Sequence, residues 1–148
     1  MINYLKAAER LLSERGQLDK AADNLERRRR KAISRGAPED LAAAMASPLL
    51  HASTSDTAED LAARLELIEI EREIAVNRDT REAIDAALDQ LDAQDAALLR
   101  AWYIQRRPKE EIAGMVNYSS SSTIYGLRNK ALAAFALLYY GASALAST

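Results

Sequence analysis

The sequence contains no cysteine, and its 148 residues include only three prolines, five glycines and one histidine. Without cysteine the chain has no disulfide, no thiolate metal site and no thiol nucleophile. The scarcity of proline and glycine, together with the abundance of alanine and leucine, favours an all-α protein. No window approaches the roughly 18 consecutive apolar residues of a membrane span, and the N-terminus lacks the apolar core of a signal peptide. We therefore expect a cytoplasmic protein without a membrane partner.

The chain also has no excess of positive charge, since its formal net charge is −2. Residues 1–35 contain ten basic and five acidic side chains, residues 36–79 contain three and ten, and residues 80–148 contain seven and seven. A near-neutral chain lacks the excess of cations from which most non-specific DNA affinity arises. The basic and acidic segments are also able to pair with each other.

Two long amphipathic helices are predicted for residues 1–79. The first covers residues 2–33, with Gly16 inside it and with Arg15 and Arg29 on an otherwise apolar heptad seam between Ala8 and Ala32. The second begins at Asp56 or Thr57 and breaks or bends at residues 77–80. Its main apolar face consists of Leu61, Leu65, Ile68, Arg72 and Ala75, widened by Leu67, Ile70 and Ile74.

Because the second helix is acidic, we expect it to fold back on the first as an antiparallel hairpin. Pairing between chains, which would give a homo-oligomer through the N-terminal helices, is the competing interpretation. The basic run Arg27–Lys31 is expected to be a solvated helix end whose cations offset the helix dipole. Direct contact of this run with DNA phosphates is the alternative.

Residues 80–148 are predicted to be a helical bundle that contains a helix-turn-helix at residues 108–135. Asp92 caps a helix over residues 93–105, whose Trp102 packs against the motif. The motif itself has a first helix over residues 109–116, a turn at residues 117–118, and a second helix capped by Ser119 or Ser120. The apolar stripe of the second helix comprises Ile124, Leu127, Ala131, Leu132, Phe135 and Leu138. Its polar face carries Thr123, Tyr125, Arg128, Asn129 and Lys130, residue types that bind bases or phosphates in a major groove.

Several segments of this region, LDQL, LLRAWYI, EEIAGMV and TIYGLRNKALAAF, resemble region four of bacterial sigma factors. The resemblance covers about residues 83–141, and the tail LRNKALAAFALLYYG is similar to small phage or prophage transcription regulators of Gram-positive bacteria. It implies binding to promoter or operator double-stranded DNA, with RNA polymerase as a further expected partner. Carried over by position, the DNA-facing residues are Ser120, Ser121, Ser122, Thr123, Tyr125, Arg128, Asn129 and Lys130.

The favoured function is therefore a sequence-specific transcription regulator that depends on oligomerisation or on polymerase, because a single near-neutral module binds DNA modestly. The alternative is a phage small terminase subunit or another helical assembly protein. We expect no enzyme, cofactor or metal site, since the sequence has no Gly-rich phosphate loop, no nucleophile beside a histidine and no HExxH helix. The lone His51, in a Ser/Thr-rich loop, is assigned no role.

Overall fold

The computed structural model describes residues 2–36, 58–116 and 121–147, and in these segments the chain is all-α, without a strand. This confirms the prediction of an all-α chain. A π-helical segment covers Arg100–Ile104, and a 3-10 helix covers Ala142–Ser147. None of these helices is long and apolar enough to cross a membrane. The α-helices are α1 (Tyr4–Ser13), α2 (Arg15–Ser34), α3 (Ala58–Gln90), α4 (Ala93–Leu99), α5 (Lys109–Met115) and α6 (Ser121–Tyr140).

Some predicted features lie outside the described residues. Residues 37–57 include the predicted loop with His51 and the predicted cap at Asp56 or Thr57. Residues 117–120 include the predicted turn and the capping serines of the helix-turn-helix.

The contacts within the chain group it into two compact units, residues 1–18 with 80–148 and residues 19–79. We call these the terminal unit and the central unit. The sequence-based division into 1–79 and 80–148 remains a prediction about which segment carries which function. By packing, the first 18 residues belong with the C-terminal region.

The N-terminal region forms two helices where the sequence predicted one. The side chain of Asn3 caps α1 by accepting a hydrogen bond from the backbone N–H of Lys6 at 3.1 Å. The interruption falls at Glu14, whose carbonyl accepts the N–H groups of Gln17 at 2.9 Å and Leu18 at 3.2 Å. Gly16 lies inside α2 and does not end a helix, so the prediction of one helix over residues 2–33 is corrected at Glu14.

The core of the terminal unit draws on every helix of that unit. Helix α1 packs against α6, the π-helical segment and the 3-10 helix, and α4 packs against α6. Phe135 of α6 is the largest fully buried side chain, and its ring stacks on Tyr139 with centroids 5.8 Å apart. The predicted stripe of α6 is buried at four positions, whereas Leu138 is 43% exposed and Ala136 is buried. The four buried positions are Ile124, Ala131, Leu132 and Phe135.

Helix α3 is one continuous helix of 33 residues, without the break considered at residues 77–80. Its first turn carries Glu59 and Asp60, where acidic side chains suit the positive end of the helix dipole. The prediction of its main apolar contact face is wrong, because on that face Leu61 is 43% and Leu65 is 68% exposed. The residues assigned only to the margin of that face, together with Ala63, form the buried side: Ala63, Leu67 and Ile70, with Ile74 partly buried.

Within the central unit, α2 and α3 run in opposite directions. Arg35, which follows the last residue of α2, pairs with Glu66 at 3.1 Å, while Arg29 inside α2 pairs with Glu71 at 2.6 Å. Between these pairs Ala32 is fully buried against α3.

The seam arginines of α2 are both bound by carboxylates. In the terminal unit, the Arg15 guanidinium donates to both carboxylate oxygens of Asp85 at 3.1 and 2.9 Å, and in the central unit Arg29 donates to Glu71. The two-pronged geometry matches the planar guanidinium to the carboxylate. Each arginine can occupy the otherwise apolar seam because a carboxylate of α3 lies within hydrogen-bonding distance of it.

Candidate nucleic-acid interface

The two helices of the predicted motif are consecutive and packed together in the terminal unit. Ile112 of α5 is 1% exposed, Val116 follows at 8%, and Ile124 in the first turns of α6 is 3% exposed. All three belong to the common core of that unit. These contacts hold the first half of α6 against α5 by hydrophobic burial.

The predicted DNA-facing residues do not share one environment. Ser120 lies outside the described residues, and Ser121 and Ser122 open α6. Thr123 is half-buried, whereas Tyr125 is 39% exposed, and Asn129 and Lys130 are exposed. Arg128 is half-buried.

Arg128 projects toward the core side of α6. It lies one turn after Ile124 and one turn before Leu132, both of which are buried. Its guanidinium carbon is 5.0 Å from the centroid of the Trp102 ring and 5.1 Å from that of Tyr125. Arg128 is thus held beside two aromatic rings, whereas Lys130 is exposed.

Trp102 is the centre of an aromatic–cation cluster formed by Trp102, Lys109, Tyr125 and Arg128. The Nζ atom of Lys109 is 4.8 Å from the centroid of the Trp102 ring, and the rings of Trp102 and Tyr125 meet edge to face at 5.2 Å. Cation–π contacts of this kind contribute about 0.5–2 kcal/mol each, depending on how far the cation is removed from water. The cluster ties the start of α5 and the first half of α6 to the π-helical segment.

Arg128 and Asn129 are bonded to each other. The Nε and Nη2 atoms of Arg128 donate to Oδ1 of Asn129 at 3.2 and 2.9 Å. An asparagine reads adenine through its Oδ1 and its amide N–H together. In this arrangement Asn129 has only its amide donors available, so two-point recognition of adenine requires Arg128 to move off it.

Cations just before α5 belong to the same region, although the sequence analysis assigned them no DNA contact. Gln105 N–H bonds to the Arg100 carbonyl at 2.7 Å and Arg107 N–H to the Ala101 carbonyl at 2.9 Å, which is the wide pattern of a π-helix end. Arg106 then takes a positive φ of 53° and donates to the Ser13 carbonyl at 3.0 Å. The only sequence signal for this arrangement is the row of cations that flanks Pro108.

The charge of Arg128 also reaches Tyr103, the residue after Trp102. Burial raises the pKa of Tyr103 to about 12, while Arg128 acts to lower that pKa and Glu9 to raise it. The Tyr103 hydroxyl has no hydrogen-bond partner among the described residues. It therefore remains neutral at physiological pH and leaves the Arg128 charge uncompensated by an anion at this point.

No family model, curated protein or solved structure matches this chain. The assignment of the site accordingly depends on its own residues. Within residues 2–36, 58–116 and 121–147 no group of three or more histidines and carboxylates is placed to hold a metal ion.

The basic run of the central unit is the other candidate for contact with nucleic acid. Its middle residue, Arg29, faces α3 and pairs with Glu71. The other four residues, Arg27, Arg28, Arg30 and Lys31, are exposed and form no ion pair within the described part of the chain. Neither solvation nor phosphate contact is favoured by this placement alone.

Proposed function

We propose that the chain is a sequence-specific regulator of transcription of phage or prophage type, which binds double-stranded DNA through the helix-turn-helix of α5 and α6. The proposal includes a cytoplasmic location in a bacterial or phage-infected cell and involves no catalytic step. Residues 80–148 would form the DNA-binding domain, and the antiparallel helical hairpin within residues 1–79 would serve oligomerisation.

The aromatic–cation cluster carries this proposal. It holds Lys109 of α5 and the first half of α6 against Trp102, and the exposed Asn129 and Lys130 follow directly on the same helix. A recognition helix must hold its side chains in a fixed register to distinguish bases. Arg128 would act mainly by anchoring this helix, and on DNA it can exchange its bond to Asn129 for a base or phosphate.

The charges near the motif limit the affinity of one copy. The first turn of α5 carries Glu110 and Glu111, and Arg107 is engaged with Glu111 at 3.4 Å. Acidic groups close to the DNA backbone oppose phosphate binding. Useful affinity would therefore require a second copy of the chain or RNA polymerase, as for other single modules.

The test is a DNA shift assay on the region upstream of the chain's own gene, at several salt concentrations. Lys130→Ala should weaken binding about fivefold and lower the salt dependence by about one phosphate contact. Arg128→Ala plus Lys130→Ala should weaken it further. Lys6→Ala, which removes an exposed cation from α1, is the matched control and should bind as the wild type does.

Two results would contradict the proposal. One is a wild-type protein without salt-sensitive binding to this DNA, and the other is equal weakening by Lys6→Ala and Lys130→Ala.

A phage small terminase subunit, or another helical assembly protein, is the second candidate. It is favoured by the exposed apolar side chains of α3, since exposed apolar surface often marks a protein interface. The mass in solution separates the two functions. A ring of many subunits would support terminase, whereas a dimer bound to a two-fold DNA site would support the regulator.

A further inference from the structure

Helix α3 has apolar residues on two opposite faces within the central unit. On the inner face Leu67 and Ile70 are fully buried against α2. On the outer face Leu65 is 68%, Val76 is 59% and Leu61 is 43% exposed. A helix that is apolar on two faces is typically packed between two neighbours, and α2 covers only one of the two faces.

The outer face has the spacing of a helix–helix contact. Leu61, Leu65, Ile68, Arg72 and Ala75 follow one another at alternating intervals of four and three residues, as the seam positions of a heptad do. Val76 adjoins the end of this seam. From Leu61 to Val76 the face is about 24 Å long, which is long enough for four turns of a partner helix.

The charges on this face are complementary to those of a second copy of the chain. Glu69 and Arg72 lie near its middle, both are exposed, and neither has an ion-pair partner among the described residues. If two such faces meet antiparallel around a point near Ile68, Leu61 of one copy lies opposite Val76 of the other. Arg72 of each copy then lies about one turn from Glu69 of the other, which gives two pairs of opposite charge.

A parallel arrangement would instead place Arg72 directly against Arg72. Like charges at a seam position disfavour a pairing by mutual repulsion and by the cost of desolvating both groups. The antiparallel arrangement brings opposite charges together and matches apolar ends with apolar ends. The face is therefore self-complementary in one orientation only.

We propose that the outer face of α3, from Leu61 to Val76, binds the same face of a second copy of the chain in antiparallel orientation. Specific interfaces usually bury roughly 1,200–2,000 Å², and a contact limited to one helix segment lies at or below the lower end of that range. The dimer should consequently dissociate on dilution. This inference does not depend on DNA binding and is tested without DNA.

Sedimentation of the full chain over a range of concentrations measures this equilibrium directly. The wild type should pass from monomer to dimer as its concentration rises, and Leu65→Glu should remain monomeric over the same range. Leu137→Glu introduces the same change at a 40% exposed leucine of α6 and should dimerise as the wild type does. Circular dichroism should show unchanged helix content in both variants.

The inference is overturned if the wild type stays monomeric at every concentration, or if Leu65→Glu dimerises as well as the wild type. Association of Leu65→Glu and wild type alike into a large ring would overturn it too, because the ring would then use another surface.

Disulfide formation between introduced cysteines tests the orientation of the two helices. Because the sequence contains no cysteine, no native thiol competes in this experiment. A mixture of the Leu61→Cys and Val76→Cys proteins should form a disulfide-linked dimer that contains one chain of each kind. Each variant alone should form far less, because its two thiols would lie at opposite ends of the interface. Efficient cross-linking of Leu61→Cys with itself would contradict the antiparallel orientation.

A charge exchange provides an independent check of the pairing. Arg72→Glu should weaken the dimer, and adding Glu69→Arg to the same chain should restore it, since the two symmetric pairs are then reversed in sign. Failure of the double variant to recover the dimer would contradict the proposed register.

Discussion

The terminal and central units of this chain are both helical, yet they achieve burial in different ways. The terminal unit encloses side chains from all of its helices, among them Phe135, Leu12 and Leu98, in one core. In its described residues, 19–36 and 58–79, the central unit consists of parts of two helices and buries only Ala32, Ala63, Leu67 and Ile70. A core surrounded by several helices leaves few apolar helix faces exposed, whereas in a pair of helices each helix covers only one face of its neighbour.

In the central unit, ion pairs join the two helices. The pairs that join α2 and α3 in the central unit are partly exposed, with side-chain exposures of 30% and 27% for Arg29 and Glu71 and of 59% and 34% for Arg35 and Glu66. Exposed ion pairs of this kind contribute about 0–1 kcal/mol each. In the described part of the central unit, α2 and α3 are joined by ion pairs and bury few side chains, so the partner proposed for the outer face of α3 would add the burial that these two helices lack.

The largest effect should come from the core of the terminal unit. Phe135→Ala should lower the free energy of unfolding by about 3–5 kcal/mol, because it leaves a cavity among side chains that surround it on all sides. The fluorescence of Trp102, the only tryptophan of the chain, reports the urea transition of this unit. Leu137→Ala is the control and should change stability by no more than about 0.5 kcal/mol, so equal losses in the two variants would show that the terminal core is misassigned.

A smaller loss is expected in the central unit. Leu67→Ala should cost about 2 kcal/mol, near the low end for a buried leucine, because two helices can close partly over the cavity. Its urea transition should shift more when helix content is followed by circular dichroism than when Trp102 fluorescence is followed.

Leu65→Ala on the opposite face of α3 is the matched control for Leu67→Ala. Measured at concentrations where the chain is monomeric, it should be nearly neutral. If it destabilises the monomer as much as Leu67→Ala does, the outer face of α3 is already covered within one chain.

The smallest effect at neutral pH concerns a polar atom in the terminal core. Tyr103→Phe should change stability at pH 7 by less than about 0.5 kcal/mol, because the hydroxyl has no hydrogen-bond partner among the described residues. Burial raises the pKa of Tyr103 from 10.0 to about 12. Above pH 10 the unfolded chain loses this proton while the folded chain keeps it, so wild-type stability falls as pH rises from 10 toward 12.

The comparison of wild type with Tyr103→Phe isolates this effect from the titration of lysines. The variant should lose less stability than the wild type between pH 10 and pH 11 in urea unfolding. Parallel losses in the two proteins would show that Tyr103 titrates normally and is more accessible to water than its 6% exposure indicates.

Local patterns in the sequence account for much of the fold. Low proline and glycine content predicted an all-α chain, and the acidic residues Glu59 and Asp60 do lie in the first turn of α3. The seam of α2 was predicted with its arginines included, and Arg15 and Arg29 both contact acids of α3. Such features depend on neighbours three or four residues apart, which a helical pattern records directly.

The interruption at Glu14 and the π-helical segment had no clear signal. Glu14 and Arg15 favour helix formation as individual residues and the nearby Gly16 disfavours it, but Gly16 lies within α2. Arg106 reaches from just after the π-helical segment to the Ser13 carbonyl. Contacts across 93 positions of the chain cannot be inferred from local spacing. The candidate site shows the same limit, since the polar face of α6 was predicted with Arg128 on it, whereas Trp102 draws Arg128 inward.

The sequence alone specified most of the helical segments and which residues share a helix face, because both follow from backbone propensity and the 3.6-residue turn. Only the tertiary structure decided which of two apolar faces of α3 is buried and which side of α6 holds Arg128. Periodicity assigns residues to a face but does not say what meets that face. That choice depends on the apolar area and the charge that distant segments bring together, here Ala32 in one cluster with Leu67 and Arg128 beside Trp102.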